Sequence, residues 1–143
     1  MQAIDYRALV SVIGDAVIVC DAAGAIIEWN PACERMFGFT PSEALGQSLD
    51  LIIPERQRQR HWDGYHKTMA TGQTRYGHDV LRVPALHKDG RALSIAFTVA
   101  LLPAGEEQST GAIVAVVRDE TARWTEERAL KARVRELEAA AGI

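Results

Sequence analysis

Short apolar segments joined by tight turns constrain the fold of this chain more than any other feature of its sequence. AVIVCD (16–21) has the β-branched character of a short strand, and AAG (22–24) is typical of a tight turn. AIIEWN (25–30) follows and is rich in apolar residues. Together these segments predict a β-hairpin.

Three further strands are predicted in the second half of the chain. HDVLRVPALH (78–87) alternates like a strand, but Pro84 requires an edge position or a bulge because proline has no N–H to donate. Lys88-Asp89-Gly90 predicts a hairpin turn into ALSIAFTVALL (92–102), and AIVAVVR (112–118) follows a polar stretch. Since the strands are short and joined by hairpins, we expect one antiparallel sheet with helices on one face.

Several helices are predicted around these strands. Asn30 and Pro31 suit the start of a short helix that ends at Gly38, and TPSE (40–43) is a capping box for the next one. The longest helix of the middle region should run from about residue 55 to residue 70 and end at Gly72. Flanking helices are expected before residue 14 and from Ala122 onward.

The composition fits one folded domain and excludes several function classes. The 143 residues contain 48% apolar and 24% charged residues, and the net charge is −3. No clustered basic excess indicates nucleic acid as a partner, and no apolar run has the roughly 18 residues that a membrane span needs. The N-terminus lacks the pattern of an export signal, and two cysteines are too few for a disulfide framework. We therefore expect a cytoplasmic location.

The ordered set of motifs resembles a PAS domain, the sensor fold of bacterial signalling proteins, over about residues 4–121. The resemblance rests on DAVIVCDAAGAIIEWNPACERMFGFTPSEALGQSL, LIIPE, ATGQTRYG, HKDGRALSIAFTVALL and VAVVRDET. Asp119-Glu120-Thr121 stands where the family usually has Asp-Ile-Thr, the junction to the exit helix. The resemblance implies an α+β fold with a five-stranded antiparallel sheet, short helices on one face, and a ligand space between sheet and helices.

The segment RQRH is similar to the helix of haem-binding oxygen-sensor PAS domains, in which a histidine is the axial ligand of the iron. The resemblance implies His61 as a haem ligand, with Arg75 and Arg82 as loose matches to the partners of the haem propionates. Trp62 departs from the smaller polar residues of the haem sensors. We favour a structural or surface histidine and keep a haem-based gas sensor as the alternative. Flavin is disfavoured because the segment leading into this helix has no cysteine, and Cys20 and Cys33 lie elsewhere.

Aromatic and thioether side chains gather near the expected ligand space. Trp62, Tyr65 and Met69 have i, i+3, i+7 spacing and share a helix face, and with His61 and Arg82 they are the candidate cofactor-binding residues. Trp29 and Tyr76 belong to the same set, and core packing is the simpler interpretation of each member. The two-residue repeat of a strand does not decide which residues of the strand 92–102 face inward. The inward set is either Ala96, Thr98 and Ala100 or Ile95, Phe97, Val99 and Leu101.

Two helical stripes predict a homodimer. The exit helix carries Leu130, Val134 and Leu137, followed by Ala141, in a 4-3-4 step typical of a short coiled-coil seam. The N-terminal helix has a second stripe, formed by Tyr6, Leu9, Val10 and Ile13.

The sequence thus predicts a flanking helix at 1–13, a PAS domain at 14–121 and an exit helix at 122–143. The expected function is a sensor that binds a small ligand or cofactor and regulates an attached output domain, such as a histidine kinase. The alternatives are the haem-based sensor and a ligand-free dimerisation module. An enzyme is disfavoured because no convergent acid–base or nucleophile set is present.

Overall fold

The computed structural model describes residues 2–74, 77–103 and 111–142, and a five-stranded antiparallel sheet dominates it. Its strands are β1 (Ala16–Cys20), β2 (Ile26–Trp29), β3 (Leu81–Leu86), β4 (Ala92–Leu102) and β5 (Ala112–Asp119). They lie in the order β2-β1-β5-β4-β3, so the N-terminal hairpin pairs with the last strand of the chain. The predicted α+β class and antiparallel sheet are confirmed.

Helices connect and flank the strands. They are α1 (Tyr6–Val12), α2 (Pro31–Phe37), α3 (Pro41–Ala44), α4 (Glu55–Thr71) and α5 (Thr121–Ala140), with a 3-10 turn at Leu49–Ile52. The predicted caps are present. The Asn30 side chain accepts from the Cys33 amide, Thr40 and Glu43 form the capping box, and Gly38 and Gly72 end α2 and α4 in the left-handed conformation.

One half of the inner sheet face is closed by a dense core. Ile18, Ile26 and Trp29 are at most 3% exposed, and Phe37 of α2 is completely buried against them. The rings of Trp29 and Phe37 lie 5.6 Å apart, and the Trp29 indole donates to the Phe39 carbonyl at 2.8 Å. This core fixes the hairpin β1–β2 under α2.

Asn30 is the single buried polar residue among the described part of the chain, and all of its polar groups are used. Its Oδ1 accepts from the amides of Val17 at 2.9 Å and Cys33 at 3.2 Å. Its Nδ2 donates to the carbonyls of Val10 at 3.0 Å and Asp15 at 3.1 Å. One side chain therefore joins the end of α1, the start of β1 and the start of α2.

The edge strand β3 accommodates Pro84 as predicted. Pro84 is exposed and lies opposite Ser94 in a strand that has a neighbour on one side only. The strand begins at Leu81, later than expected, because His78 belongs to a turn. The next turn closes with Gly90 at φ +92°, which glycine adopts without steric cost.

The last strand and the exit helix are joined almost without a loop. β5 ends at Asp119 and α5 begins at Thr121. The Glu120 amide donates to the Ser94 carbonyl at 2.8 Å, and the Ser94 amide donates to Thr121 Oγ1 at 2.9 Å. Strand β4 thus holds the start of α5 directly. In the described ranges, no helix is both long and apolar enough to span a membrane.

Candidate functional site

The second half of the inner sheet face is only partly covered. Val99 lies opposite Ala115 and Leu101 opposite Ile113, so these four side chains share the face that carries buried Ile95. Phe97 continues this row, and unlike Ile95 all five of these side chains are half-buried. The inward set of β4 is therefore Ile95, Phe97, Val99 and Leu101.

Helix α4 shares a cleft with the end of β4 and is fastened along its first and middle turns. The Arg58 guanidinium donates to the Ile53 carbonyl at 3.0 Å and to the Asp50 carbonyl at 3.4 Å. The Trp62 indole donates to Asp50 Oδ1 at 2.7 Å, and the Tyr65 hydroxyl donates to the Asp21 carbonyl. These bonds attach α4 to the 3-10 turn and to the hairpin turn between β1 and β2.

The Trp62 ring lies directly on the hairpin turn, and this contact requires glycine. A Cβ atom at Gly24 would lie 2.3 Å and 2.4 Å from two carbons of the Trp62 ring. Gly24 also has φ +88°, so its conformation and the close approach of the ring both favour glycine. The indole therefore fills the space between the middle of α4 and the turn of β1–β2 and holds the helix to that hairpin.

Tyr65 is the most deeply buried residue of α4. Its ring centroid lies 5.1 Å from that of Trp62 in an edge-to-face arrangement. Burial, with smaller contributions from Cys20 and Asp21, raises the pKa of the Tyr65 hydroxyl, which stays protonated and acts as a donor. Trp62 and Tyr65 are thus brought together, as the spacing predicted.

His61 lies beside these rings and carries an unpartnered buried atom. Its ring centroid is 4.6 Å from that of Trp62 and 5.8 Å from that of Tyr65. Its Nδ1 is buried and has no hydrogen-bond partner in the described structure, and the same holds for Gln57 Oε1, one turn earlier. Desolvation lowers the pKa of His61, against the opposing charge of Asp50, and the imidazole is neutral at pH 7.

Met69 lines a cleft at the opposite end of α4. The cleft has a volume of about 280 Å³ and is bounded by Thr68, Met69, Gly72, Leu101, Leu102, Pro103 and Gly111. Met69 is half-buried and also packs on the core. His61 does not border this cleft, so the structure places Met69 and His61 at different parts of the same helix.

Arg82 is not brought to this site. Arg82 lies opposite Ala96, next to the pair formed by Val83 and the inward-facing Ile95. Because neighbouring residues of a strand face opposite sides, the Arg82 side chain lies on the outer face of the sheet. Its side chain is 61% exposed and its Nε lies 3.9 Å from Glu120 Oε2. The prediction that Arg82 lines the ligand space is wrong, because the register of β3 and β4 places its side chain on the outer face of the sheet. Arg75 and Tyr76 lie outside the described residues.

Two aromatic rings crowd His61. Axial ligation of a haem needs an imidazole nitrogen that faces a flat open space. The ring centroids of Trp62 and Tyr65 lie 4.6 Å and 5.8 Å from that of His61, both rings are hydrogen-bonded in place, and His61 does not line the cleft at Met69. These surroundings do not favour a haem. In the described ranges, no group of three or more His, Cys, Asp or Glu side chains is arranged to hold a metal ion.

Both cysteines are buried core residues on other elements. Cys20 lies at the end of β1 and Cys33 in α2. Burial raises the pKa of each thiol to about 12, so neither is a thiolate at neutral pH.

The two stripes predicted for dimerisation differ in exposure. Leu130, Val134 and Leu137 on α5 are 65%, 45% and 53% exposed. On α1, Tyr6 and Leu9 are exposed, whereas Val10 and Ile13 are half-buried. The α5 stripe therefore presents the more complete apolar surface.

Sequence reasoning did not anticipate three features of this region. They are the ion pairs of Glu120, the unpartnered Oε1 of Gln57 and the contact between Gly24 and the Trp62 ring. Glu120 is 18% exposed at its side chain and lies 3.9 Å from Arg82 and 3.8 Å from Arg123, so it connects the edge strand to α5. Each residue had a weak signal in the sequence. Glu120 departs from the Asp-Ile-Thr junction, Gln57 stands four residues before His61, and Gly24 lies in the hairpin turn. None of these signals indicates which residue is contacted.

Comparison with known proteins identifies the family. The family model for the PAS fold matches residues 4–120. The chain belongs to the PAS family. It is 37% identical over 126 residues to an uncharacterised protein of Azorhizobium caulinodans, and 33% identical over 135 residues to the sensor protein FixL of Bradyrhizobium diazoefficiens. These alignments cover 87% and 92% of the chain but only 17% and 25% of the two relatives.

Solved structures of PAS domains share the fold. The PAS domain of a protein from Colwellia psychrerythraea superposes with a TM-score of 0.68 at 23% identity, covering 81% of this chain and 94% of that domain. The PAS domain of BvgS from Bordetella pertussis superposes with a TM-score of 0.63 at 18% identity, covering 92% of this chain and 95% of that domain. At these identities the likeness shows the fold alone.

Proposed function

We propose that this PAS domain senses a small, mainly apolar organic molecule held between α4 and the inner face of β4 and β5. The observation that carries the proposal is the partly covered row of apolar side chains on that face, next to a half of the sheet that is fully closed. Ligand sites are typically apolar concavities with a few polar groups that orient the ligand. Among the described residues, Gln57 Oε1 and neutral His61 Nδ1 are buried polar atoms of α4 without a hydrogen-bond partner, and they are the candidates for this role.

The fluorescent probe 8-anilinonaphthalene-1-sulfonate tests this site. We expect it to bind the folded chain, and Val99→Trp to reduce the emission because the added ring occupies the inner space. Thr98→Trp is the matched control, since Thr98 is the neighbouring half-buried residue on the opposite face. Equal losses in the two variants, or no loss in either, would contradict the site. A folded chain that binds no probe would favour the ligand-free dimerisation module.

The haem alternative has a direct spectroscopic test. We expect titration with hemin to give no Soret band of bound haem that His61→Ala removes. The crowding of the His61 imidazole by the Trp62 and Tyr65 rings supports this expectation. A stoichiometric adduct that forms in the wild type and fails only in His61→Ala would overturn this expectation.

We further propose that the ligand state passes from β4 to α5 and regulates an attached output unit, such as a histidine kinase, in the cytoplasm. Ser94 of β4 bonds with both Glu120 and Thr121, which supports a direct path from the ligand face to the exit helix. The relatives are four to six times longer than the matched region, which supports an attached output unit. We assign no catalysis to this chain.

Dimerisation is part of the proposal. The exposed α5 stripe and the α1 stripe support a homodimer. We expect sedimentation to show a dimer at micromolar concentration, weakened when Leu130→Glu and Leu137→Glu are combined. A monomer at high concentration that these changes leave unaltered would rule out the α5 stripe as the interface.

A further inference from the structure

The space between α4 and the sheet is obstructed on the side of the β1–β2 hairpin. The Trp62 ring rests on the hairpin turn, where a Cβ atom added at Gly24 would lie 2.3 Å from it. The Tyr65 hydroxyl donates to the Asp21 carbonyl of the same turn. Because both side chains belong to the middle of α4, they block a passage between this part of the helix and the hairpin.

The side at the start of β4 is obstructed as well. The Lys88 amide, in the turn before β4, donates to the Phe37 carbonyl of α2 at 2.8 Å. The His87 ring lies against the end of α2, where a Cβ atom added at Gly38 would be 2.7 Å from Cε1 of the imidazole. Leu93, the first inward residue of β4 after this turn, is buried. The β3–β4 turn is thus tied to α2 and covers the start of the strand.

The far end of β4 differs from its start. The inward row passes from Ile95, which is buried, to Leu101, which is half-buried and also lines the cleft at Met69. The cleft has a volume of about 280 Å³. Ligand sites commonly measure roughly 300–1,000 Å³ and enclose most of their ligand. The cleft is therefore better suited to be a passage toward the apolar row than a complete site.

The last turns of α4, beside the cleft, are attached only locally. Thr71 Oγ1 donates to the Lys67 carbonyl at 2.9 Å, and the Gly72 amide donates to the Thr68 carbonyl at 2.9 Å. Among the described residues, no side chain from 66 to 72 is hydrogen-bonded to the sheet. Segments with few fixed contacts open at a lower free energy than well-anchored ones. This end of α4 can therefore move away from β4 more readily than the middle of the helix.

Met69 stands between the cleft and the interior. Its side chain lines the cleft and also packs against the buried core. A methionine side chain is unbranched and has three rotatable bonds, so it changes shape more easily than other large apolar side chains. A rotation of Met69 would therefore connect the cleft with the space in front of Leu101 and Val99.

We propose that this cleft is the entrance through which a small molecule reaches the inner face of β4 and β5, and that the Met69 side chain gates it. The inference rests on the proposed ligand-sensing function and adds the route and the residue that controls the exchange of the ligand. A gate at this position sets how fast the domain responds, whereas the apolar row sets how tightly it binds.

Stopped-flow fluorescence with 8-anilinonaphthalene-1-sulfonate separates a gate from a lining residue. Met69→Ala should raise the association and dissociation rate constants together, each by about tenfold, because entry no longer waits for a side-chain rotation. The dissociation constant should change by less than about twofold, since a gate alters the barrier and not the bound state. Met36→Ala is the matched control, because Met36 is also half-buried against the core but lies in α2, away from the cleft.

A reversible block of the entrance is the second test. Met69→Cys is labelled with benzyl methanethiosulfonate, while the native thiols Cys20 and Cys33 are buried, with pKa values near 12, and should react slowly. Labelling before the probe is added should slow its association by at least about tenfold, and labelling after binding should slow its release equally. Dithiothreitol should reverse both effects. Lys67→Cys, the exposed neighbour on α4, is the control and should have little effect.

Each contrary result has a distinct meaning. Immediate displacement of bound probe by the label would show that residue 69 lines the occupied site, and this would overturn the gate. Exchange rates that the label leaves unchanged, or that change equally in Met69→Ala and Met36→Ala, would place the entrance elsewhere. A folded wild-type chain that binds no probe would overturn the proposed ligand sensing together with its entrance, and this result precedes any substitution.

Discussion

The two halves of the sheet carry similar apolar side chains on their inner face, but they are covered differently. On β1 and β2, Ile18, Ile26 and Trp29 are sealed by Phe37 of α2. On β4 and β5, Ile95 and Val117 are buried, but Phe97, Val99, Leu101, Ile113 and Ala115 remain half-buried. The closed half has the packing that confers stability, and the other half leaves apolar side chains partly exposed, as the proposed ligand site requires.

The difference follows from how each helix is attached. Asn30 caps α2 and ties it to β1 through buried hydrogen bonds, so α2 lies flat on the hairpin. Helix α4 is fixed by Arg58 in its first turn and by Trp62 and Tyr65 near its middle, where they contact the 3-10 turn and the hairpin. Its C-terminal end borders the cleft at Met69.

Truncating one phenylalanine in each half tests the comparison most strongly. Phe37→Ala should lower the free energy of unfolding by about 3–5 kcal/mol because it empties a fully buried position. Phe97→Ala should cost about 1–2 kcal/mol, since the ring is half-buried and water already reaches its space. Urea unfolding of both variants measures the contrast. Equal losses would mean that the β4–β5 half is packed as tightly as the β1–β2 half.

Replacing Asn30, the buried polar residue of the β1–β2 half, should have the next largest effect on the free energy of unfolding. Asn30→Ala deprives two amides and two carbonyls of their partner, and we expect a loss of about 3 kcal/mol. Asn30→Asp should lose at least as much at pH 7, because a buried carboxylate oxygen would face the carbonyls of Val10 and Asp15 in place of the donating Nδ2. Thermal unfolding of the two variants gives the order, and an Asp variant clearly more stable than the Ala variant would contradict it.

The attachment of α4 can be tested at Gly24. Gly24→Ala should cost more than about 2 kcal/mol, because a methyl group collides with Trp62 and the backbone has positive φ. Gly90→Ala is the control for conformation alone, since Gly90 has φ +92° and nothing within 4 Å of an added Cβ, and it should cost about 1 kcal/mol.

A double-mutant comparison isolates the collision. In a Trp62→Ala background, Gly24→Ala should cost no more than Gly90→Ala does. Gly90→Val should lower stability by about 1 kcal/mol or more, because a β-branched side chain resists positive φ. A Gly24→Ala penalty that persists without the indole would mean that Trp62 does not press on the turn.

The smallest expected effect is the pH dependence contributed by His61. Its pKa in the folded chain is lowered, so the unfolded chain binds a proton first as the pH falls below about 6.5. Wild-type stability should therefore decline from pH 7 toward pH 5 more than that of His61→Gln, as measured by urea midpoints. Identical slopes for wild type and His61→Gln would show an unperturbed imidazole.

The local features of this fold follow from the sequence, whereas the pairing of distant segments does not. Caps at Asn30 and Thr40 and the edge position of Pro84 rest on chemistry within a few residues, and all are present. The inward set of β4 could not be chosen, because a period of two gives two equally regular sets until Val99 is paired with Ala115. The register between β3 and β4 was also unknown from the sequence, and for this reason Arg82 was wrongly expected on the inner face.

The candidate site was predictable only in part for the same reason. The spacing of Trp62 and Tyr65 correctly joined them on one helix face. No local pattern reveals that Trp62 rests on Gly24, 38 positions earlier, or that this contact restricts the space around His61. Motif resemblance therefore identified the fold well but not the surroundings of the histidine.

The near absence of a loop between β5 and α5 makes the sheet set the angular phase of the exit helix. Thr121 is held by Ser94 and Asp119, so α5 leaves the sheet with its seam at one rotation about the helix axis. Each residue inserted at Glu120 would turn the seam by about 100°, and seven residues would nearly restore it. The rotation of the apolar stripe of α5 about the helix axis is therefore set by the sheet, and insertions at Glu120 should change it with the heptad period.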